Sequence, residues 1–247
     1  MVCIAARAYF TGAAALFGII FPLFSGAQTM QAFSTATTET PPAPWRVVGL
    51  PGHQIPPTRF DIVQRDGQAV LRVRAEQSYA NLSHALPADT TATLLRWKWR
   101  LDQALPQANL RRKDGDDVAI KICAMFDLPL EKIGFFERNL LRLARSKSGE
   151  NLPGATLCYV WDPSLPVGTE LPNAYTGRVR YLVLNSASTP LGQWANHSRD
   201  LAADFLRSFG AETDAVPPLL AIVVGADADN THGSSLAYVG DVSLVKQ

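Results

Sequence analysis

The sequence predicts a mainly-β protein: a β-sandwich or jelly roll of roughly 8–10 strands with two inserted helices. Several runs alternate apolar and polar residues with period two, which is typical of half-buried strands. Turn signals such as Asp66-Gly67 and Asp114-Gly115 separate these runs. No regular strand-helix-strand alternation runs through the chain, which disfavours a parallel α/β fold.

The N-terminus predicts a removable signal peptide over residues 1–27. Arg7 precedes an apolar run over 8–24, and residues 25–27 supply the small side chains that a signal peptidase needs. The run is short of the roughly 20 residues that cross a bilayer as a helix, although an uncleaved anchor is the alternative. We therefore expect export, to the periplasm or the cell exterior, and no stable membrane span after cleavage.

The rest of the chain is expected to form one domain. Residues 28–44 are rich in threonine and proline and predict a flexible lead-in in which nothing packs. Residues 45–247 suit a single β-sandwich domain. Removing Arg7 leaves 22 basic residues against 22 acidic ones, so the net charge predicts no polyanion partner. Export, neutrality and the lack of a recognised motif argue against nucleic-acid binding.

The clearest strand covers residues 94–101, where one face is apolar with two tryptophans and the other is basic. The other predicted strands cover residues 69–75, 118–126, 156–161, 178–184, 219–224 and 236–245. Two of these strands carry Cys123 and Cys158, which export would place in an oxidising compartment. Whether they form a disulfide depends on strand neighbours that the sequence leaves open.

Residues 130–145 predict the first helix, because apolar side chains recur there at helical spacing. These side chains are Ile133, Phe136, Leu140 and Leu143. We expect the helix to cover a sheet or close one end of the sandwich. The adjacent pair Phe135-Phe136 keeps a second interpretation open, a mobile lid or an element that touches a membrane.

The second predicted helix begins after Ser198 as N-cap and ends at Phe209, with Gly210 as a left-handed stop. Its expected buried stripe is Leu201, Phe205 and Phe209.

Common catalytic signatures are missing from the sequence: a phosphate-binding loop, a His-Glu-x-x-His motif, a Gly-x-Ser-x-Gly elbow and a Cys-x-x-Cys pair. The acidic run 227–231 has alternating oxygen ligands that suit calcium. A helix-loop-helix calcium site would need glycine and glutamate where this chain has His232 and Tyr238. The run is therefore either a turn fixed by its own side chains or a different calcium site formed by Asp227, Asp229 and Asn230.

Basic residues recur on the polar faces of the predicted strands. They are Arg72, Arg74, Arg96, Lys98, Arg100, Lys121, Arg178 and Arg180. If these strands are neighbours, they form a basic face suited to carboxylated or sulfated polysaccharide. The alternative is that acidic residues from loops and helices cover this face. Aromatic residues beside polar ones also suit sugar stacking, namely Trp161, Tyr175 and Trp194.

Several short runs occur in a distinctive order. They are Trp97-Lys98-Trp99-Arg100, Gly115-Asp116-Asp117, Tyr159-Val160-Trp161, Asn173-Ala174-Tyr175-Thr176, Trp194 with Arg199-Asp200 and Asp204-Phe205, Asp227-Ala228-Asp229-Asn230-Thr231, and Gly240-Asp241. Over most of 45–247 the chain thereby resembles the bacterial domain-of-unknown-function family numbered 3047. The resemblance implies an exported bacterial β-sandwich with no established activity, and it adds no catalytic residue.

The resemblance also indicates where a ligand would bind, because polar residues lie in these runs. With the two aromatic candidates, the predicted ligand-binding residues are Asp116, Asp117, Trp161, Tyr175, Arg199, Asp200, Asp204 and Asp241. A charged network at one end of the sandwich, with Arg199 pairing the carboxylates, would explain several of them structurally, because an unpaired buried charge is costly.

Three functions follow as hypotheses. The leading one is a non-catalytic binding module for carbohydrate or another polar cell-envelope ligand. The second is a carbohydrate-active hydrolase using two of the aspartates, or a lyase using Tyr175 and Arg199. The third is a structural protein that acts through a protein partner docked on the helix at 130–145.

Overall fold

The computed structural model describes residues 30–49, 55–148 and 152–245, so the predicted signal peptide lies outside the described residues. The strands are β1 Arg46–Val48, β2 Arg59–Arg65, β3 Gln68–Glu76, β4 Tyr79–Thr90, β5 Leu94–Gln103, β6 Val118–Phe126, β7 Ala155–Trp161, β8 Glu170–Pro172, β9 Val179–Asn185, β10 Trp194–Asp200, β11 Leu219–Asp227, β12 Ser234–Val239 and β13 Ser243–Val245. The helices are α1 Phe135–Ser148 and α2 Leu201–Phe209. In these ranges no helix is long and apolar enough to cross a membrane.

The strands form two sheets that pack face to face, which confirms the predicted sandwich. The seven-stranded sheet has the order β1-β4-β11-β6-β7-β9-β8. The six-stranded sheet has the order β10-β5-β12-β3-β2, with β13 also pairing with β5. All paired strands are antiparallel except β7 and β9. The core between the sheets contains fully buried Trp99, Phe126 and Tyr159.

Every predicted strand has a counterpart, and 118–126 coincides with β6. The predicted strand 236–245 is two strands, because residues 240–242 interrupt it before β13 resumes pairing with β5. Five strands were not predicted: β1, β2, β4, β8 and β10. Strands β1 and β8 have only three residues each, which is too short for a clear alternation. Strand β10 carries mostly polar side chains, so it shows no apolar face in the sequence.

Cys123 and Cys158 stand opposite each other on β6 and β7 and form a disulfide. They belong to a second, smaller apolar cluster on the outer face of the seven-stranded sheet. Loop residues such as Leu110 and Leu165 cover this cluster. The bond closes a stretch of chain that contains α1.

The expectation that nothing packs in 28–44 is wrong for part of that segment. Phe33 is completely buried in a short 3-10 turn, and its ring lies 4.9 Å from that of Trp45. The Trp45 indole Nε1 donates to the carbonyl oxygen of Gln31 at 2.8 Å. Two apolar side chains, Met30 and Phe33, fill the core here, whereas the prediction considered only the threonines and prolines.

Helix α2 has the predicted buried stripe of Leu201, Phe205 and Phe209, but its two ends differ from the prediction. Its N-cap is Asp200, whose side chain accepts from the amide of Ala203 at 3.0 Å; Ser198 lies within β10. Gly210 is right-handed, with φ of −62°. Glycine suits it sterically, since a Cβ there would lie 2.3 Å from the carbonyl oxygen of Leu206.

Helix α1 is present, but it does not bury the predicted apolar stripe. Ile133 is buried in the turn before it, whereas Phe136, Leu140 and Leu143 are 74, 50 and 52% exposed. The buried apolar residue of the helix itself is Leu141. The stripe faces outward because polar side chains on the other side of α1 bind the domain: Glu137 accepts from the amide of Gly177 at 2.8 Å.

Candidate functional site

The structure distributes the predicted site residues over separate places. An acidic cluster of Asp116, Asp117, Asp227 and Asp229 lies on the outer side of the seven-stranded sheet. Arg199 and Asp204 form a bridge between β10 and α2. Asp241 lies in a cleft on the outer face of the six-stranded sheet. Trp161 is 3% exposed and packs in the core, so its predicted ligand contact is wrong: a buried indole cannot stack on a sugar.

Within the acidic cluster, Asp117 organises the acidic run. Its carboxylate accepts from the backbone amide and side-chain amide of Asn230, both at 3.2 Å. It also accepts from the amide of Thr231 at 2.7 Å and from the Thr231 hydroxyl. Four donors from two consecutive residues hold the 228–231 turn in place. This favours the interpretation of the run as a fixed turn.

Asp227 is an ion-pair partner rather than a free ligand. It is buried, and its carboxylate accepts from Lys121 Nζ at 2.9 Å and from the amide of Val118 at 2.9 Å. Burial lowers the pKa of Lys121, but the charge and hydrogen bond of Asp227 together with Tyr79 and Tyr181 outweigh this, and the pKa lies above its ordinary value. The ammonium group therefore stays charged and neutralises Asp227.

The described residues contain no group of three His, Cys, Asp or Glu side chains placed to hold a metal ion. Asp227 binds Lys121 and Asn230 binds Asp117, which leaves Asp229 as the third member of the predicted calcium site. A carboxyl oxygen of Asp229 is buried with no hydrogen-bond partner in this part of the chain. The geometry adds no support for calcium, and that assignment stays a prediction.

Asp116 is a buried acid of the cluster with a raised pKa. It is 6% exposed, and burial, followed by the charge of Asp227, raises its pKa to about 6. Its oxygens accept from Asn173 Nδ2 and from the Tyr181 hydroxyl. Nearby, the hydroxyl of Tyr175 donates to the carbonyl oxygen of Lys113 at 2.9 Å. The cluster therefore ties three loops together and uses most of its polar atoms internally.

The expected pairing of Arg199 with a carboxylate is confirmed. Arg199 donates two hydrogen bonds to Asp204, at 2.6 and 2.8 Å, and the hydroxyl of Tyr159 donates a third at 2.7 Å. Arg207 lies 3.0 Å from the same carboxylate. Asp204 is 3% exposed in its side chain, so this group joins α2 to β7 and β10 and is structural.

The outer face of the six-stranded sheet gathers five of the eight predicted basic residues, because β3, β12 and β5 are neighbours. Tyr238 pairs in register with both Arg72 and Arg100, and residues two apart on a strand share a face. The five residues are Arg72, Arg74, Arg96, Lys98 and Arg100. The other three lie on the seven-stranded sheet or at its edge, where Arg178 pairs with Glu137 and Glu212.

Acidic residues neutralise part of this face. Arg72 pairs with Asp61, and Arg100 pairs with Asp102 at 2.6 Å. Arg74, Arg96 and Lys98 make no ion pair with any residue of 30–49, 55–148 or 152–245. The basic face is therefore partly neutralised. Arg72 and Arg100, which flank Tyr238 of β12, are paired with acids, whereas the three unpaired cations lie further along β3 and β5.

An open cleft of about 510 Å³ lies on this face. We call it the basic cleft, and its polar lining residues are Ser34, Gln68, Arg96, Lys98, Asn196, His197, Ser198, Asp241 and Ser243. The Lys98 side chain lies against Gly240, where a Cβ would be 2.7 Å from it. Glycine thus lets the lysine stem extend towards Gln68, to which its Nζ donates at 3.0 Å.

The sequence indicates only part of the cleft. Arg96 and Lys98 stand out by their basic strand face, and Asn196 by its place beside Trp194. Gln68 and Ser198 were missed as lining residues, because their approach depends on the pairing of distant strands. Asp241, the one predicted ligand-binding residue among those that line the cleft, accepts from the amide of Ser34 at 2.9 Å and from the Ser34 hydroxyl.

Comparison with known proteins identifies the family. The family described as "Protein of unknown function (DUF3047)" matches residues 43–243. The chain belongs to this family. This confirms the resemblance seen in the ordered runs, and the match spans both sheets of the DUF3047 sandwich.

Several solved structures are similar to this DUF3047 chain. The K2 cleaved adhesin domain of Lys-gingipain is 12% identical, with 89% of this chain and 99% of that chain covered at a TM-score of 0.40. The family 11 carbohydrate-binding module of a Clostridium thermocellum cellulase is 11% identical, with 90% and 95% covered at 0.39. The Trichoderma harzianum endoglucanase 3 is 10% identical, with 84% and 99% covered at 0.38. No curated protein matches the chain.

Proposed function

We propose that this protein is a non-catalytic binding module of the cell envelope whose basic cleft takes an anionic carbohydrate, carboxylated or sulfated. One observation carries the proposal. Two cations, Arg96 and Lys98, line an open cleft without an ion-pair partner among the described residues. An anionic ligand would supply the missing counter-charge.

The side chains of the cleft suit the parts of such a ligand. The guanidinium of Arg96 can donate two parallel hydrogen bonds to a carboxylate or sulfate, a geometry that fixes orientation as well as charge. The amides of Gln68 and Asn196 and the hydroxyl of Ser198 offer donors and acceptors to sugar hydroxyls. The volume lies in the range of small-ligand sites, roughly 300–1,000 Å³. Because the cleft is open, a longer chain could also lie along it.

Trp194 provides an aromatic surface beside these polar groups. Its register partner on β5 is Arg100, one step along the face from Lys98, whose ammonium lies 4.9 Å from the Trp194 ring. The indole Nε1 donates to Asp66 at 2.8 Å, which fixes the ring in place. Trp194 contacts the lining residue Lys98, and an oriented indole offers apolar surface to a sugar ring.

Binding is favoured over hydrolysis at this cleft. A glycosidase needs two carboxyl groups about 5–10 Å apart across the bond that is broken. Asp241 is the one carboxylate among the described residues that line the cleft, and both of its oxygens accept from Ser34. Asp204 and Asp227, two of the aspartates considered for a hydrolase, are held by Arg199 and Lys121 in other places.

The test is a calorimetric titration of the protein with sulfated, carboxylated and neutral oligosaccharides. We expect binding of the charged ligands, and Arg96→Gln or Lys98→Gln should weaken it about 10- to 100-fold, the loss of one charge-assisted hydrogen bond. Arg111→Gln is the matched control, because Arg111 is exposed in the loop before β6 and away from the cleft. Equal weakening by all three variants, or no binding by the wild type, would contradict the proposal.

A further inference from the structure

Helix α1 exposes an apolar surface that the fold leaves uncovered. Phe135 and Phe136 are 73 and 74% exposed, and Leu140 and Leu143 are about half exposed. We call these four residues the α1 apolar stripe. Spacings of four and three residues place Phe136, Leu140 and Leu143 on one side of the helix. Scattered apolar residues on a surface are ordinary, but a contiguous patch marks a site of interaction.

The orientation of α1 is fixed from its opposite side. Leu141 is buried there against the main core. One turn before it, Glu137 accepts from the amide of Gly177 and pairs with Arg178 at 2.7 Å. One turn after it, Arg145 donates to the carbonyl oxygen of Leu152 at 2.9 Å. Burying the α1 apolar stripe within this fold would require α1 to roll and break these contacts.

Cations border the stripe. Arg142 and Lys147 are exposed on α1, and Lys132 is exposed in the turn that precedes it. None of the three makes an ion pair with a residue in the described part of the chain. Of the two acids in this region, Glu137 is engaged by Arg178, and Glu131 remains as the exposed one.

We propose that α1 docks this protein peripherally on an anionic lipid bilayer, with the α1 apolar stripe entering the headgroup boundary. Phenylalanine and leucine on one face of a helix, bordered by lysine and arginine, are the composition of helices that lie in a membrane interface. The three unpaired cations supply charge complementarity to anionic headgroups, since each Lys or Arg near such a surface strengthens binding about fivefold. This inference is independent of the basic cleft.

The experiment is co-sedimentation of protein purified after export with vesicles of equal parts phosphatidylglycerol and phosphatidylcholine, and with vesicles of phosphatidylcholine alone. We expect binding to the anionic vesicles and little to the neutral ones. Phe136→Ser with Leu140→Ser should weaken binding about tenfold or more, and Arg142→Gln with Lys147→Gln about 20-fold or more.

The control is Val167→Ser with Leu191→Ser, which removes two apolar side chains of similar exposure away from α1. Far-UV circular dichroism and thermal melting verify that each variant folds. The proposal is overturned if the wild type does not bind anionic vesicles, or if the α1 variants and the control variant bind these vesicles equally well. It is also overturned if lipid-free protein forms a dimer that Phe136→Ser with Leu140→Ser abolishes, because the stripe would then belong to a second copy.

Discussion

Asp116 is buried and His197 is partly buried, and the pKa values of these two residues are displaced in opposite directions. Burial, and then the charge of Asp227, raises the pKa of Asp116 to about 6. Burial, and then the charge of Arg199, lowers the pKa of His197 to about 4. The folded state therefore favours the neutral form of both groups. Their contributions to the pH dependence of stability have opposite signs over nearly the same range.

For Asp116, the unfolded state releases its proton near pH 3.8 and the folded state near pH 6. The stabilising contribution of this group is fully present below about pH 4 and is lost as the pH rises through 6. The loss in the free energy of unfolding is up to about 3 kcal/mol. We expect Asp116→Asn to gain stability relative to the wild type as the pH rises from 4 to 7. Urea unfolding at several pH values measures this. Asp114→Asn, at an exposed carboxylate, is the control, and a difference that does not change with pH would refute the assignment.

For His197, the pH dependence of stability has the opposite sign. The unfolded state takes up a proton below about pH 6.5 and the folded state only near pH 4, so up to about 3 kcal/mol of stability is lost as the pH falls between these values. Nε2 of His197 lies 2.9 Å from Oδ1 of Asn185, which also accepts from Trp99, so Nε2 carries the proton of the neutral ring. Gln can donate to the same oxygen. We expect His197→Gln to gain stability relative to the wild type as the pH falls from 7 to 4, measured by the same unfolding series.

At the scale of elements, the disulfide joins β6 and β7 and closes a stretch with a sequence separation of 35 that includes α1. Such a closure reduces the conformational entropy of the unfolded chain, which stabilises the folded state by about 3–4 kcal/mol for a loop of this length. We expect Cys123→Ala with Cys158→Ala to lower the free energy of unfolding by about this amount. Chemical unfolding of the variant and of the oxidised wild type measures it. Equal stabilities would show that the bond does not restrict the unfolded state.

The local sequence pattern predicts a strand or helix correctly where its two faces differ in polarity. It fails where contacts with residues that are distant in the sequence decide the structure. Strand β5 was predictable because its tryptophans and its basic residues alternate. Strand β10 was not, since His197 and Arg199 point towards polar partners at the end of the core. The N-cap of α2 was misplaced because Ser198 and Asp200 are both good cap residues and β10 runs directly into the helix.

The orientation of helix α1 is a second feature that the local sequence pattern could not predict. Periodicity shows which side of a helix is apolar, but not which side faces the domain. Here Glu137 and Arg145 bind loops of the domain, and these contacts with distant residues decide the orientation. The expectation of a covering helix was therefore right about the helix and wrong about its buried side.

At the scale of the whole molecule, the outer faces of the two sheets differ in character. The seven-stranded sheet is covered by loops that the disulfide cluster and the acidic cluster hold in place. The six-stranded sheet leaves Arg96 and Lys98 at an open cleft. The sequence could reveal that the strands carried basic residues, but only the pairing of β5 with β10 and β12 places them beside Asn196 and Gly240.

An electrostatic contact at the basic cleft also predicts a salt dependence. Salt screens exposed charges over about 10 Å at 0.1 M and about 3 Å at 1 M. We expect the affinity for a sulfated oligosaccharide to fall as sodium chloride is raised over this range, and to fall less steeply for Lys98→Gln, which has one cation fewer. Calorimetric titrations at several salt concentrations measure the salt dependence of the affinity for the wild type and for Lys98→Gln. An affinity independent of salt would contradict an electrostatic contact at the basic cleft.

The most direct test of the central claim is an NMR titration of the ¹⁵N-labelled protein with a sulfated oligosaccharide, following every backbone amide. The basic-cleft account predicts that the largest shifts fall in residues 96–98, 196–198 and 240–243, where the lining residues lie. Residues 116–117 and 227–231 of the acidic cluster should change little. Shifts centred on the acidic cluster, or none at saturating ligand, would contradict the account.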